Sequence, residues 1–232
     1  MREFFPLADE FLRGQGRFAV DAPAVGRLKW LILFTFLFGA CYGAVMGSFG
    51  VCAFGHPRLF AYTLIGALKV PLLLLVTFLL SLPSFFVLNA IFGLRDDFGE
   101  SLRAVTGMLA CLATVLAALA PITLFFYCSC DYYDAAILFN GLMFSIAALA
   151  SSHVARRYYG PLIRRSPRHK TMLLLWLGLY TFVAIQMAWT LRPFIGDPNP
   201  QVPIVLMRSG EIDNAYLEIV RLMRQVIRMW FG

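Results

Sequence analysis

The stretch KVPLLLLVTFLLSLPSFFVLNAIFG, residues 69–93, contains no charged residue after Lys69. An apolar run of this length is typical of a transmembrane helix, because about twenty residues at 1.5 Å each cross the hydrocarbon core. Similar runs occur at residues 28–50, 102–127, 134–155 and 171–192. The sequence therefore predicts an all-α, polytopic membrane protein with five transmembrane helices.

The composition of the whole chain supports this fold class. Of 232 residues, 60% are hydrophobic and only 14% are charged, whereas soluble domains average about 45–50% and 25%. A soluble fold of this size has too little interior to bury so much Leu, Phe and Val. A transmembrane β-barrel requires alternating segments of about ten residues, and the sequence lacks that pattern.

The regions flanking the predicted spans differ from them in charge. Residues 1–27 carry several charges and do not match a cleavable signal peptide, so we expect the first span to remain as an anchor. We divide the chain into a cytoplasmic N-terminal segment, 1–27, a five-span transmembrane domain, 28–193, and an extracytoplasmic tail, 194–232.

The tail ends in DNAYLEIVRLMRQVIRMWFG, which has the pattern of an amphipathic helix. Its polar stripe comprises Glu218, Arg221, Arg224, Gln225 and Arg228. Its apolar face includes Leu217, Val220, Met223, Ile227 and Trp230. We expect this helix to lie in the membrane interface or against a neighbouring subunit, not to form a sixth span.

The distribution of Lys and Arg predicts the orientation. With five spans, thirteen of the twenty fall on one side, in residues 1–29, 94–103 and 153–170, and seven fall on the other. Positive charge is enriched on the cytoplasmic side of membrane proteins. We therefore predict a multi-pass protein of the bacterial inner (plasma) membrane, with its N-terminus in the cytoplasm.

The stretch HVARRYYGPLIRRSPRHK, residues 153–170, admits two interpretations. It can be a topology signal that contacts anionic membrane lipid, or it can bind an anionic nucleotide or oligonucleotide, or a cytoplasmic partner protein. Tyrosines between arginines can stack on bases, and Gly160, Pro161 and Pro167 predict a turned loop instead of a continuous helix. The candidate ligand-binding residues are Arg156, Arg157, Tyr158, Tyr159, Arg164, Arg165, Arg168 and Lys170. In a homo-oligomer, several copies of this stretch would surround a positively charged vestibule.

Polar residues within the predicted spans are candidates for lining a pore. They are Ser81, Ser84, Asn89, Asn140, Gln186 and Thr190. The alternative is ordinary hydrogen bonding between helices, worth about 0.6 kcal/mol on average. Span interiors contain no acidic residue, which argues against proton-coupled transport. Lys69 is expected to begin the second span, with its amine reaching the interface.

Small residues in the first span predict close helix packing. Gly39, Gly43 and Gly47 recur every four residues and so share one helix face, where a second backbone can approach. We expect this contact to lie within the subunit.

No motif in the sequence indicates catalysis. We find no nucleotide-binding loop, no HExxH and no GxSxG, and His56, His153 and His169 lack the spacing of metal ligands. We therefore expect no enzyme activity, no cofactor and no metal site. The stretch CSCDYYD, which begins at Cys128, is a weak metal signal, and a disulfide to Cys52 is the better hypothesis if this side faces the periplasm.

The five-span layout over residues 28–193 and the placement of prolines in the 69–93 span resemble bacterial Yip1-like membrane proteins. The architecture is also similar to small multi-span effectors of bacterial antiviral systems, in which a nucleotide signal controls a membrane pore. The second resemblance implies an oligomeric pore or channel-like effector, gated at its basic cytoplasmic face by an anionic ligand or partner. The first implies a non-conducting scaffold or accessory subunit.

The charge distribution makes a testable prediction about topology. A reporter fused after Lys170 should be cytoplasmic, and one fused after Gly232 should be external, because the two sites are separated by one span. Paired phosphatase and fluorescent-protein fusions measure this directly. Detection of both fusion sites on the same side would contradict the five-span arrangement.

Overall fold

The computed structural model describes residues 4–13, 27–55, 59–191, 194–195 and 224. Within these residues the chain is helical and contains no strand. The helices are α1 (Phe4–Arg13), α2 (Arg27–Gly47), α3 (Phe49–Phe54), α4 (Leu59–Ile91), α5 (Phe98–Ser129), α6 (Tyr133–Arg165) and α7 (Arg168–Thr190), with a 3₁₀ turn at Arg95–Asp97 before α5. Of the 194–232 tail, only residues 194, 195 and 224 are described. The other residues of the amphipathic helix predicted near the C-terminus therefore lie outside the described residues.

Five of the helical segments are long and apolar enough to cross a membrane. They are Leu28–Ala53, Ala61–Ile91, Arg95–Ser129, Tyr133–Val154 and Arg168–Thr190. The prediction of an all-α fold with five candidate spans is therefore confirmed.

The start of the second span was predicted wrongly. The helix begins at Leu59, well before Lys69, and Lys69 lies within the span. The side chain of Lys69 is buried, and its Nζ lies 5.9 Å from the centre of the Phe194 ring. Lys69 therefore packs inside the bundle instead of marking the beginning of the helix.

The bundle is organised around α2 and α5. Helix α2 packs along both α4 and α5, α6 packs on α5, and α7 packs mainly on α4. The main core contains buried residues from all five long helices, including Tyr42, Phe85, Leu116, Ala147 and Met172. The outer surfaces of the same helices carry exposed Leu, Ile and Phe, as expected for surfaces that face lipid tails.

The glycines of α2 set the distance to α4. A Cβ atom built on Gly43 would collide with the backbone carbonyl of Gly66, and one built on Gly47 would collide with the carbonyl of Tyr62. Gly66 is equally constrained by the carbonyl of Gly43. The prediction that these small residues pack within the subunit is confirmed, and the partner is α4.

Helix α1 is an amphipathic helix docked on the bundle. Leu7 and Phe11, spaced by four residues, are buried against Phe34 of α2 and Val154 of α6. The Phe11 and Phe34 rings lie 5.9 Å apart. This part of the predicted N-terminal segment therefore packs on the transmembrane helices.

The prediction that residues 153–170 are turned was correct for Pro167 and wrong for Gly160 and Pro161. Helix α6 continues through Gly160 and Pro161 to Arg165. The chain turns instead at Ser166, whose backbone is extended (φ −150°, ψ 124°), and Pro167, which precedes α7. An extended residue before proline is the expected conformation, because the proline ring disfavours a helical one. Pro161 lies beyond the apolar span, where water can satisfy the carbonyl that its missing N–H leaves free.

The contact between α2 and α4 can be tested at Gly43. Replacing Gly43 with Val should destabilise the bundle by more than about 2 kcal/mol, because the side chain has no space beside Gly66 and overpacking forces the backbone apart. Gly178→Val in α7 is the matched control, since a Cβ there meets nothing within 4 Å. Equal thermal midpoints for the two variants in detergent would contradict the proposed contact.

Candidate anion-binding face

One end of the bundle carries most of the exposed positive charge found among the described residues. We call it the basic end, and it consists of α1, the connection from Phe92 to Glu100, the last turns of α6 and the first turn of α7. Six of the predicted ligand-binding residues are exposed there: Arg156, Arg157, Arg164, Arg165, Arg168 and Lys170. These cations fall into two groups according to their contacts.

Two of the arginines are engaged by other parts of the fold. Arg157 Nη1 donates a hydrogen bond to the backbone carbonyl of Leu12 at 3.0 Å and so holds the last turn of α1. Arg165 Nη1 lies 3.1 Å from a carboxylate oxygen of Glu100 and 3.4 Å from one of Asp97. The charge of Arg165 is therefore compensated locally, while Arg157 satisfies a carbonyl at the end of a helix.

The other four cations have no such compensation. Arg156, Arg164, Arg168 and Lys170 make no ion pair with any residue in the described parts of the chain. They are spread over the end of α6 and the start of α7, on both sides of the Ser166–Pro167 turn. Together they give the basic end a positive potential that attracts anions.

A buried histidine connects the two polar turns at this end. His169 Nε2 lies 3.0 Å from Asp97 Oδ2, and the imidazole is fully buried. The same carboxylate group contacts Arg165 through its other oxygen. Asp97 therefore links the 3₁₀ turn before α5 to the start of α7 and to the end of α6.

The two tyrosines of the stretch are part of the packing. Tyr159 is fully buried, its ring lies edge-on to His169 at 6.0 Å, and burial raises the pKa of its hydroxyl to about 12. Tyr158 is half-buried against Val154 and the backbone at Gly107. Our expectation that Tyr159 stacks on a base is therefore wrong in this conformation, because its ring faces are covered by protein.

Sequence patterns did not predict the acidic partners of this site. Asp97 and Glu100 stand in the short segment RDDFGE, whose arginine counts towards the predicted topology. Three acidic residues close to one arginine in a short connection could have been recognised in the sequence. Their pairing with residues about seventy positions away could not, because it depends on the tertiary fold.

The residues predicted to line a pore do not converge. Ser81 and Asn89 are buried between α4 and α7, where the Trp176 indole N–H approaches the Ser81 carbonyl at 3.4 Å and Asn89 Nδ2 lies 3.5 Å from Met172 Sδ. Asn140 is buried in a different interface, described next. Three other candidates, Ser84, Gln186 and Thr190, are half-buried or exposed. Within one subunit, these side chains therefore line no shared polar path.

Asn140 organises the interior between α2, α5 and α6. Its carbonyl oxygen accepts a hydrogen bond from Tyr42 at 2.9 Å, and its Nδ2 donates to the Tyr127 hydroxyl at 2.6 Å and to the Ala136 carbonyl at 2.7 Å. All three side chains are buried. This arrangement matches the structural alternative for Asn140, which is a hydrogen-bonded contact between helices.

The buried pair of His169 and Asp97 predicts unequal effects of two histidine substitutions. His169→Ala should lower the free energy of unfolding by about 1–3 kcal/mol, because it removes a buried side chain and its hydrogen bond to Asp97. His153→Ala should have little effect, since His153 is exposed on α6. Thermal unfolding of the two variants in detergent makes the comparison, and similar midpoints would rule out a stabilising role for His169.

Comparison with known proteins adds no family to this description. No family model, no curated protein and no solved structure matches the chain. The resemblances to Yip1-like proteins and to antiviral effectors therefore stay hypotheses. The fold and the candidate spans support a multi-pass membrane protein.

Proposed function

We propose that this protein is a non-conducting membrane scaffold or accessory subunit whose basic end docks an anionic ligand or an acidic segment of a partner protein. The predicted topology puts this end in the cytoplasm. The observation that carries the proposal is the set of four exposed cations, with no ion pair to any described residue, on either side of the Ser166–Pro167 turn.

The fixed position of this turn favours a ligand-binding role for its cations over a role as a topology signal alone. A topology signal needs charge but no defined geometry. Here Arg164, Arg168 and Lys170 flank a turn. The contacts of Asp97 with His169 and Arg165 fix the position of this turn. Cations on a fixed frame lose less conformational freedom when they bind, and this preorganisation strengthens binding.

The packing of the interior favours a non-conducting role for the single subunit. Apolar and aromatic side chains from all five long helices make up the main core, and the buried Asn140 makes its hydrogen bonds to neighbouring helices. Among the described residues, no acidic side chain lies in the interior of a span. These features support an anchoring function, in which the membrane domain presents the basic end.

The docking proposal predicts which arginines matter. The double variant Arg164→Gln and Arg168→Gln should lower affinity for a deca-glutamate peptide about thirtyfold, since each cation near an anionic surface contributes about 1 kcal/mol. Binding of the unmutated protein should weaken as salt rises, because the charges are exposed and screened. Fluorescence anisotropy with protein in nanodiscs of neutral lipid measures both effects.

The control is Arg13→Gln, which removes a cation already paired with Asp9 at 2.8 Å in the same helix. Because it removes one charge from the basic end instead of two, it should lower the affinity by no more than about fivefold. An oligothymidylate of equal charge serves as a second probe, and tighter binding of this probe would favour a nucleic-acid ligand over an acidic peptide. If neither probe binds at low salt, the docking proposal fails and contact with anionic lipid is the remaining role for these cations.

A second candidate function, the oligomeric pore-forming effector, is supported by the exposure of α7. Only 17% of the most apolar window of α7 is buried within the subunit, compared with 44% for the first two spans. Leu174, Leu175 and Phe182 are exposed on α7, and the half-buried Gln186 lies one turn before the exposed Thr190. An assembly through α7 would bring copies of Gln186 and Thr190 together around a shared axis.

Ion flux distinguishes the two candidates. Liposomes containing the purified protein should show no potassium release above protein-free liposomes if the scaffold proposal is correct. If instead they conduct, Gln186→Leu should reduce the flux several-fold, whereas Ser81→Ala should not, because Ser81 is buried in the core. Flux that is insensitive to Gln186 would exclude a pore built on α7.

A further inference from the structure

Two cysteines that are distant in the sequence lie at the end of the bundle opposite the basic end. Cys52 lies in α3 and Cys128 lies in the last turn of α5, and the packing of α3 on α5 brings these two helix ends together. Both thiols are free and exposed. We call this region the cysteine end, and it also includes Cys130 just after α5.

The packing of α3 on α5 keeps these thiols together. The Phe49 ring lies edge-on to the Tyr127 ring, 5.0 Å from its centre, and it also approaches Tyr133 at 6.2 Å. Phe49 and Cys52 are three positions apart in α3, so they share a face of that helix. Tyr127 and Cys128 are neighbours in α5. The aromatic contact therefore fixes the relative position of the two helix ends that carry the thiols.

We propose that Cys52 and Cys128 form a reversible disulfide that staples α3 to the end of α5. The reaction is thiol–disulfide exchange with a disulfide donor such as oxidised glutathione or an oxidised dithiol protein. One cysteine thiolate attacks the donor disulfide, forms a mixed disulfide and releases one donor thiol. The second thiolate then attacks the sulfur of the first cysteine and releases the other donor thiol. The protein loses two electrons and two protons, and the donor gains both.

The surroundings favour this pairing over the alternatives at the same end. Cys128 lies within α5 beside Tyr127, whose ring packs on Phe49 of α3, whereas Cys130 lies where the chain leaves the helix in an extended conformation. A shared metal site is not supported, because the described residues contain no group of three or more His, Cys, Asp or Glu side chains placed to hold an ion. The predicted topology puts the cysteine end outside the cytoplasm, where disulfides persist.

The proposed disulfide would restrain the bundle through α2. Helix α3 follows α2 almost directly, since only Ser48 separates them. A bond from Cys52 to Cys128 therefore connects the end of α2 to the end of α5 covalently, and it encloses α4 in the closed loop. Such a loop restricts the unfolded chain and raises thermal stability.

Peptide mapping of the unmutated protein tests the pairing without relying on any variant. The purified protein is reduced, incubated with oxidised glutathione, alkylated and digested. We expect a decrease of about 2 Da in the intact mass and a cross-linked peptide that joins Cys52 to Cys128. A linkage between Cys128 and Cys130, or glutathione retained on Cys52 and Cys128 as the end product, would overturn the proposal.

Three serine variants test the effect on stability. In the unmutated protein and in Cys130→Ser, oxidation should raise the thermal midpoint, and reductant should reverse the shift. In Cys52→Ser and in Cys128→Ser the shift should be absent. A shift of the same size in Cys52→Ser would overturn the proposal, because the stabilising bond would then involve other cysteines.

Discussion

Every backbone N–H and C=O group at membrane depth must find its hydrogen-bond partner within the protein, because lipid tails offer none. The rest of this structure follows from that constraint. The spans are helical, with a break at Ser48 between α2 and α3 in the first, and the turns between α4 and α5, α5 and α6, and α6 and α7 lie at the two ends of the bundle. Some side-chain hydroxyls also find their partners within the helix: Thr35 donates to the carbonyl of Leu31, and Thr106 donates to that of Leu102.

The same constraint explains why two neighbouring residues of α2 perform different tasks. Lipid provides no hydrophobic drive between helices, so close packing and hydrogen bonds hold them together. Gly43 permits the backbone contact with Gly66 of α4, while the preceding residue, Tyr42, donates a hydrogen bond to Asn140 of α6. Successive side chains in a helix point about 100° apart, and α2 therefore uses close packing towards α4 and a polar contact towards α6.

The sequence predicted the parts of the fold that depend on local pattern. Run length and composition located the five candidate spans, and four-residue spacing identified Gly43 as a packing residue. The start of α4 was misplaced because a charge at Lys69 resembles a boundary, whereas burial beside Phe194 depends on the tertiary fold. Gly160 and Pro161 likewise have the local sequence pattern of a turn. Beyond the membrane span, however, water replaces the hydrogen bond that proline removes, and the helix continues.

At the candidate site, too, the sequence pattern does not predict the surroundings of individual charged residues. In the sequence, residues 153–170 form a single basic stretch, but in the fold its cations have different surroundings. Arg157 holds α1 through the Leu12 carbonyl, Arg165 is compensated by Asp97 and Glu100, and Arg164 faces solvent without an ion pair among the described residues. Removing the charge of Arg164 only weakens the positive potential. Removing that of Arg165 exposes two carboxylates and reverses the local sign, so equal changes in net charge have unequal consequences for an approaching anion.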